Sequence, residues 1–251
     1  MGRCMEGPGF WTLAVLAAML VGTSKGGLPV IAMLGVPVLA FAVPPITATA
    51  ILAPVFVVSD IFGLWAYRRD FDRRVVAILA AGATVGVALG WATARIVPEG
   101  AVILLIGMIG AVFALRMLWQ DWRRMVPPAR PARVGPGLFW GAMTGFTSFV
   151  SHAGAPPFQV YVLPLRLTKT RYAGTSTVLF AYVNAIKLIP YWALGALNWT
   201  NLGISARLMV PAVAAVFLGV WLVRVLPDRL FFALVSWALL AVSVRLIWVA
   251  L

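Results

Sequence analysis

The sequence predicts an all-α polytopic membrane protein made of two inverted-topology repeats, each a broken or re-entrant hairpin of short helices followed by three spanning helices. Three observations carry this expectation. First, the chain is too apolar to fold in water: 63% of its 251 residues are hydrophobic and 11% are charged, with a mean hydropathy of +0.99. A soluble domain is about half apolar and about a quarter charged. A core of this size cannot hide so much apolar surface from water, and lipid is the solvent that accepts it. Second, the apolar residues fall into segments of two lengths. Third, the order of short and long segments occurs twice.

Phe10–Val21 and Val30–Val43 are short, and Ile46–Tyr67, Val75–Val97 and Ala101–Trp119 are long. A basic, proline-rich linker, Gln120–Pro136, follows. Leu138–Val150 and Pro157–Leu167 are again short, and Ala173–Gly195, Leu208–Leu226 and Leu230–Leu251 are long. A spanning helix needs about 20 residues at about 1.5 Å each. The six long segments meet that length, while the four short ones reach about two-thirds of the way across. The expected organisation is a first transmembrane repeat (1–119), a cytoplasmic linker (120–136) and a second repeat (137–251). A shift of 127 residues lays Ser24 on Ser151, Gly27 on Gly154, Pro29 on Pro156, Pro37 on Pro164 and Trp65 on Trp192 without a gap.

The net charge is +13, from 20 Lys and Arg against 7 Asp and Glu. These charges gather in short tracts between apolar runs: Arg68 to Arg74, Arg123 to Arg133, Arg166 to Arg171, and Arg224 with Arg229. Loops retained in the cytoplasm carry such tracts. Each hairpin ends on the side where it began, so three spans invert the second half, put all four tracts in the cytoplasm and leave both termini outside. Arg3, Arg95, Arg207 and Arg245 are exceptions near the opposite face. No basic soluble face exists to bind nucleic acid. Cys4 is the only cysteine and His152 the only histidine, with no carboxylate cluster; no disulfide, metal site or cofactor is expected. No A-x-A cleavage pattern follows Phe10–Val21, which is therefore read as part of the mature protein. Gly82, Gly86 and Gly90, and Gly137, Gly141 and Gly145, form two ladders suited to close helix packing in lipid. Trp119, Trp122, Trp199 and Trp248 suit the aromatic belts of a bilayer, and Arg116 is expected to cap its helix at the interface.

The chemistry is expected at the two breaks, Thr23–Pro29 and Ser151–Pro157. Backbone that leaves a helix cannot face lipid, because each unpaired N–H or C=O costs several kcal/mol. Paired interrupted segments mark the binding site of inverted-repeat transporters. A proline sits in each break where a new half-helix would begin. Free N–H groups and the positive end of a helix dipole there favour an anion. Under the shift Lys25 overlays His152, placing one chargeable base from each half at a common centre beside the hydroxyls of Ser24 and Ser151. Gly26, Gly27 and Gly154 would let a ligand touch backbone. Asp60 and Lys187 lie within long apolar segments and also overlay. Such charges need a partner or a wet cavity; Asp60 is read as a proton-coupling group and Lys187 as an anion attractor, against a structural ion pair. Asn184, one turn before Lys187, is a further donor. Gln159, Tyr161 and Tyr182 are weaker candidates, the tyrosines more suited to packing.

These residues carry a resemblance. The break Ser24–Pro29 and its repeat, the basic mid-chain linker, Leu163–Leu167, and the stretch from Gly174-Thr175 through Asn184, Lys187-Leu188 and Pro190-Tyr191 to Leu194-Gly195 are similar to the TauE/SafE family of sulfite and organosulfonate transporters over nearly the whole length. The resemblance implies a proton-coupled transporter of the bacterial inner membrane that moves a small sulfur-containing anion, and not an enzyme. Two other readings of the same residues are an anion channel, which needs no coupling group, and an intramembrane hydrolase with a Ser24–His152 dyad, for which no G-x-S-x-G or H-E-x-x-H context is present.

Overall fold

The computed structural model of the chain describes residues 7–93, 96, 98–125, 127–193 and 199–251. Arg3, Cys4, Arg95, Val97, Leu194, Gly195 and Asn198 lie outside the described residues. All the regular structure described is helical. The first half comprises α1 (Pro8–Lys25), a 3-10 turn (Pro29–Leu34), α2 (Gly35–Ala40), α3 (Pro45–Tyr67), α4 (Arg73–Thr93) and α5 (Glu99–Trp122). The second comprises α6 (Val134–Ser151), α7 (Ala155–Val162), a 3-10 turn (Leu163–Leu165), α8 (Lys169–Ala193), α9 (Trp199–Val225) and α10 (Asp228–Ala250).

Five helices are long and apolar enough to cross a membrane: Thr47–Tyr67, Arg73–Thr93, Gly100–Trp122, Leu202–Val225 and Asp228–Ala250. The chain is therefore a multi-pass membrane protein. The sixth long segment forms α8, which has the length, at 25 residues, but a more polar composition. Its polar side chains point inward, with Thr175, Ser176, Thr177 and Lys187 all buried. A helix surrounded by protein needs no apolar coat.

The outbound limbs of the hairpins are longer than the apolar runs suggest, at 18 residues each. Helix α1 continues through Thr23, Ser24 and Lys25, because these polar groups meet protein rather than lipid: the Ser24 hydroxyl donates to the Val21 carbonyl at 2.5 Å, and Lys25 finds a carboxylate. The turn that follows needs Gly27, whose φ of 122° suits glycine alone. Helix α6 ends on His152, at φ 54°. The return limbs are short. The first is a 3-10 turn followed by the six-residue α2, not the single half-helix that Pro29 suggested. The second is α7 with its own 3-10 turn, and Pro156 and Pro157 occupy its first turn as expected.

The halves interlock. Helix α4 packs on α6 and α9 on α1; α3 meets α8 and α5 meets α10. Under the 127-residue shift α4 corresponds to α9 and α1 to α6, so each contact between halves has its counterpart. The two glycine ladders face one another across the α4–α6 contact. A Cβ on Gly86 would lie 2.0 Å from the Ala142 carbonyl oxygen, and one on Gly145 2.2 Å from that of Ala83. Only glycine lets the backbones come this close.

The four basic tracts gather at one end of the bundle. The Arg130 N–H donates to the Pro164 carbonyl at 3.0 Å and the Asp72 N–H to the Thr175 hydroxyl at 3.0 Å. Lys169 donates to the Arg224 carbonyl at 3.2 Å, and Arg229 approaches Asp121 at 3.7 Å. Trp119, Trp122 and Trp248 are exposed on the outer surface, and Arg123 lies over the first two rings.

The ladder makes a test. Gly86→Ala is expected to destabilise the protein by about 1–3 kcal/mol through overpacking. Gly100→Ala, where an added Cβ meets nothing within 4 Å, is expected to be neutral or slightly stabilising because alanine favours a helix. Thermal unfolding in detergent compares the two; equal effects would contradict this packing.

Candidate functional site

Helix α1 ends, α6 ends and α7 begins around one interior cavity, with α3 and α8 forming its remaining walls. It is lined in part by Ser24, Lys25, Phe56, Ser148, His152 and Gly154, with Ser176, Thr177, Phe180, Asn184 and Lys187 opposite. The two breaks therefore meet, although 127 residues separate them in the chain.

Charge is concentrated here. Lys25, Asp60 and Lys187 are respectively 4%, 5% and 3% exposed. The Lys25 Nζ lies 2.7 Å from the Asp60 Oδ1, and the Asn184 side-chain amide donates to Asp60 Oδ2 at 2.7 Å. One carboxylate oxygen is thus ion-paired from α1 and the other hydrogen-bonded from α8. The Lys187 ammonium donates to the Ser148 hydroxyl at 3.0 Å and to the Ser148 carbonyl at 3.2 Å. Among the described residues no carboxylate lies within 4.0 Å of it.

Phe56 connects the two breaks. The Lys25 ammonium stands 5.2 Å from its ring centroid, a favourable placement for a cation, and the His152 imidazole stacks on it at 6.3 Å and 10°. The left-handed backbone of His152 turns the chain out of α6 here; histidine is one of the few non-glycine residues enriched in this region. Behind it the Thr147 hydroxyl donates to the Ala153 carbonyl at 3.1 Å, and the Ala153 N–H donates to the Thr147 carbonyl at 3.1 Å. On the other side the Thr177 hydroxyl donates to the Lys25 carbonyl at 3.0 Å, so α8 satisfies backbone that α1 leaves open.

Of the expected site residues, Ser24, Lys25, His152, Gly154, Asn184 and Lys187 line the cavity, and Asp60 reaches it through Lys25 and Asn184. Gly26, Gly27 and Ser151 do not line it. Gly26 packs on α9, where a Cβ would lie 2.5 Å from the Gly219 Cα, and its carbonyl accepts the Tyr67 hydroxyl at 2.5 Å. Gly27 abuts Ala173, and the Ser151 hydroxyl donates back to Thr147 at 3.2 Å. The weaker candidates lie elsewhere. Tyr161 donates to the Arg133 carbonyl, Tyr182 shares a hydrogen bond with Thr84 on the outer surface, and Gln159 is buried beside Leu28 and Val235 in a separate pocket.

Sequence reasoning missed Phe56, Ser148, Thr177 and Phe180. Ser148 had a signal, since it lies one turn before His152 on α6. Phe56, Phe180 and Thr177 had none, because aromatics and threonines are common on buried helix faces.

The buried pair makes a test. Removing one partner of a buried ion pair leaves an uncompensated charge and costs about 3–5 kcal/mol. Lys25→Met is expected to destabilise the protein by that order, and adding Asp60→Asn to restore a large part of the loss. Additive losses in a double-mutant cycle read by thermal unfolding would mean that the two groups do not compensate each other.

Searches of curated proteins and of solved structures returned no match. The family comparison did: residues 12–246 match the sulfite exporter TauE/SafE family, and with nearly its whole length covered the chain belongs to that family of membrane transporters.

Proposed function

We propose that the chain is a proton-coupled carrier of sulfite or a small organosulfonate, and that the anion sits in the cavity against Lys187. The observation that carries this reading is a charge balance. Two buried lysines face one buried aspartate, and that aspartate is already ion-paired with Lys25 and hydrogen-bonded by Asn184. Lys187 meets only the neutral oxygens of Ser148. A buried cation without a counter-ion is expensive, and a bound anion supplies one. Because Ser148 accepts from Lys187, its own proton remains to donate to the anion. Membership of a sulfite-exporter family supports a sulfur oxyanion as cargo.

Asp60 supplies the coupling. Its protonation removes the negative charge that holds Lys25 and frees that ammonium to reach the anion. Its deprotonation recaptures Lys25 and weakens the hold on the cargo. Lys25 and Asp60 belong to the first half and Lys187, Ser148 and His152 to the second, so rocking of one half against the other would expose the site to each side in turn. In this reading the halves are inverted repeats in the bacterial inner membrane, with the clustered basic tracts in the cytoplasm and both termini outside.

Sulfite accumulation in proteoliposomes under an imposed pH gradient tests both parts. Lys187→Met is expected to weaken sulfite binding at least about tenfold, since a hydrogen bond to a charged group contributes about 1.5–3 kcal/mol. Asp60→Asn is expected to retain sulfite exchange but lose gradient-driven accumulation. Wild-type binding in the first variant would remove the site assignment. Wild-type accumulation in the second would remove the coupling role, and flux that ignores the gradient in both the wild type and Asp60→Asn would favour a channel.

A further inference from the structure

The end of the bundle that gathers the basic tracts holds a second concentration of unpaired charge. Arg116 of α5, Arg130 of the linker and Arg166 at the turn after α7 line one open pocket. Arg116 was expected to cap its helix at the interface. It does not, because α5 runs on to Trp122 and leaves this guanidinium on the flank. The three arginines come from three separate segments, and the backbone joins two of them: the Arg130 N–H donates to the Pro164 carbonyl at 3.0 Å, and the chain then turns at Arg166 in a left-handed conformation, φ 51°.

No aspartate or glutamate lines this cavity, and among the described residues no carboxylate lies within 4.0 Å of the three guanidiniums. The nearby acids are engaged, Asp121 with Arg229 at 3.7 Å and Asp228 with Lys169 at 3.5 Å. Apart from Gln120, the rest of the wall is apolar, including Phe113, Trp140 and Leu163. The pocket adjoins a larger one through Met117, Gln120, Leu163 and Arg166, and this second space continues between α5 and α10, with Leu118, Leu167 and Phe232 on its apolar side and Asp121, Asp228 and Arg229 at its polar edge. An arginine-lined pocket beside a slot with one apolar side fits a molecule with an anionic head and an acyl chain. Arginine binds phosphate oxygens through a planar fork of donors, and basic pockets between spanning helices near the membrane surface take acidic lipid headgroups.

We infer that Arg116, Arg130 and Arg166 form a binding site for an anionic phospholipid, whose phosphate sits among the three guanidiniums and whose acyl chain lies in the slot between α5 and α10. This site is separate from the cavity at the breaks and does not depend on the transport reading. The lipid bridges the linker, α5 and the α7–α8 turn, and so ties the second hairpin to the first half at the membrane surface.

The test is thermal unfolding of the full chain in detergent with added phosphatidylglycerol, phosphatidylcholine of the same acyl chains, or inorganic phosphate. Phosphatidylglycerol is expected to raise the Tm by several degrees, and the other two to have little effect. The variant Arg116→Gln/Arg130→Gln/Arg166→Gln is expected to lose most of that shift, and Arg73→Gln/Arg74→Gln, which changes another basic tract, to keep it. Arg130→Gln alone, in the exposed linker, is expected to lose a measurable part and provides the reading if the triple variant does not fold. An equal shift with phosphatidylcholine, or an unchanged shift in the arginine variants, would overturn the proposal. Equal protection by inorganic phosphate would reassign the pocket to soluble anions.

Discussion

A backbone that leaves its helix inside a bilayer must find its hydrogen-bond partners in protein, and in this chain that requirement governs where everything else sits. Both hairpins break inside the helix bundle, at Gly26–Leu28 and at His152–Gly154. Neither break can face lipid, so each is enclosed by helices of both halves. Thr177 of α8 reaches the Lys25 carbonyl, and Thr147 closes the loop at Ala153. The glycine ladders of α4 and α6 follow from the same need, since close helix contact seals the second break from outside. The cavity is the space that remains once two irregular turns have been brought together and satisfied.

Placing lysines in that space has a consequence for charge. Lys25 and Asp60 largely cancel, and they do so across two helices and with an amide from a third; in the proposed cycle one proton on Asp60 opens the pair. Lys187 has only neutral partners. A site of this kind is held together when an anion occupies it and strained when it is empty. The sulfur oxyanion of the family fits that requirement.

Much of this was legible in the sequence because charge is conspicuous within apolar segments. Lys25, Asp60, His152 and Lys187 stand out for that reason, and the internal shift predicted which of them would converge. The shift paired Asp60 with Lys187 by position, whereas the structure pairs Asp60 with Lys25, because symmetry-related positions need not touch. Glycine was the ambiguous signal. Gly154 lies at the cavity, while Gly26 and Gly27 serve helix contact and the turn; a glycine that admits a ligand and one that admits a neighbouring helix look the same in a sequence. Segment lengths misled where polar residues continue a helix, as Thr23 to Lys25 do in α1, since hydropathy tracks contact with lipid rather than helicity. The polar character of α8 has the same cause.

The central claim is that a sulfur oxyanion binds between the two breaks against Lys187. Selenite has the shape and charge of sulfite and carries an anomalous scatterer. In crystals soaked with selenite, the account predicts one selenium peak within hydrogen-bonding reach of the Lys187 Nζ and the Ser148 hydroxyl, with Phe56 and His152 in the surrounding wall. A peak confined to the arginine pocket at the end of the bundle, or none in the cavity at saturating selenite, would contradict it.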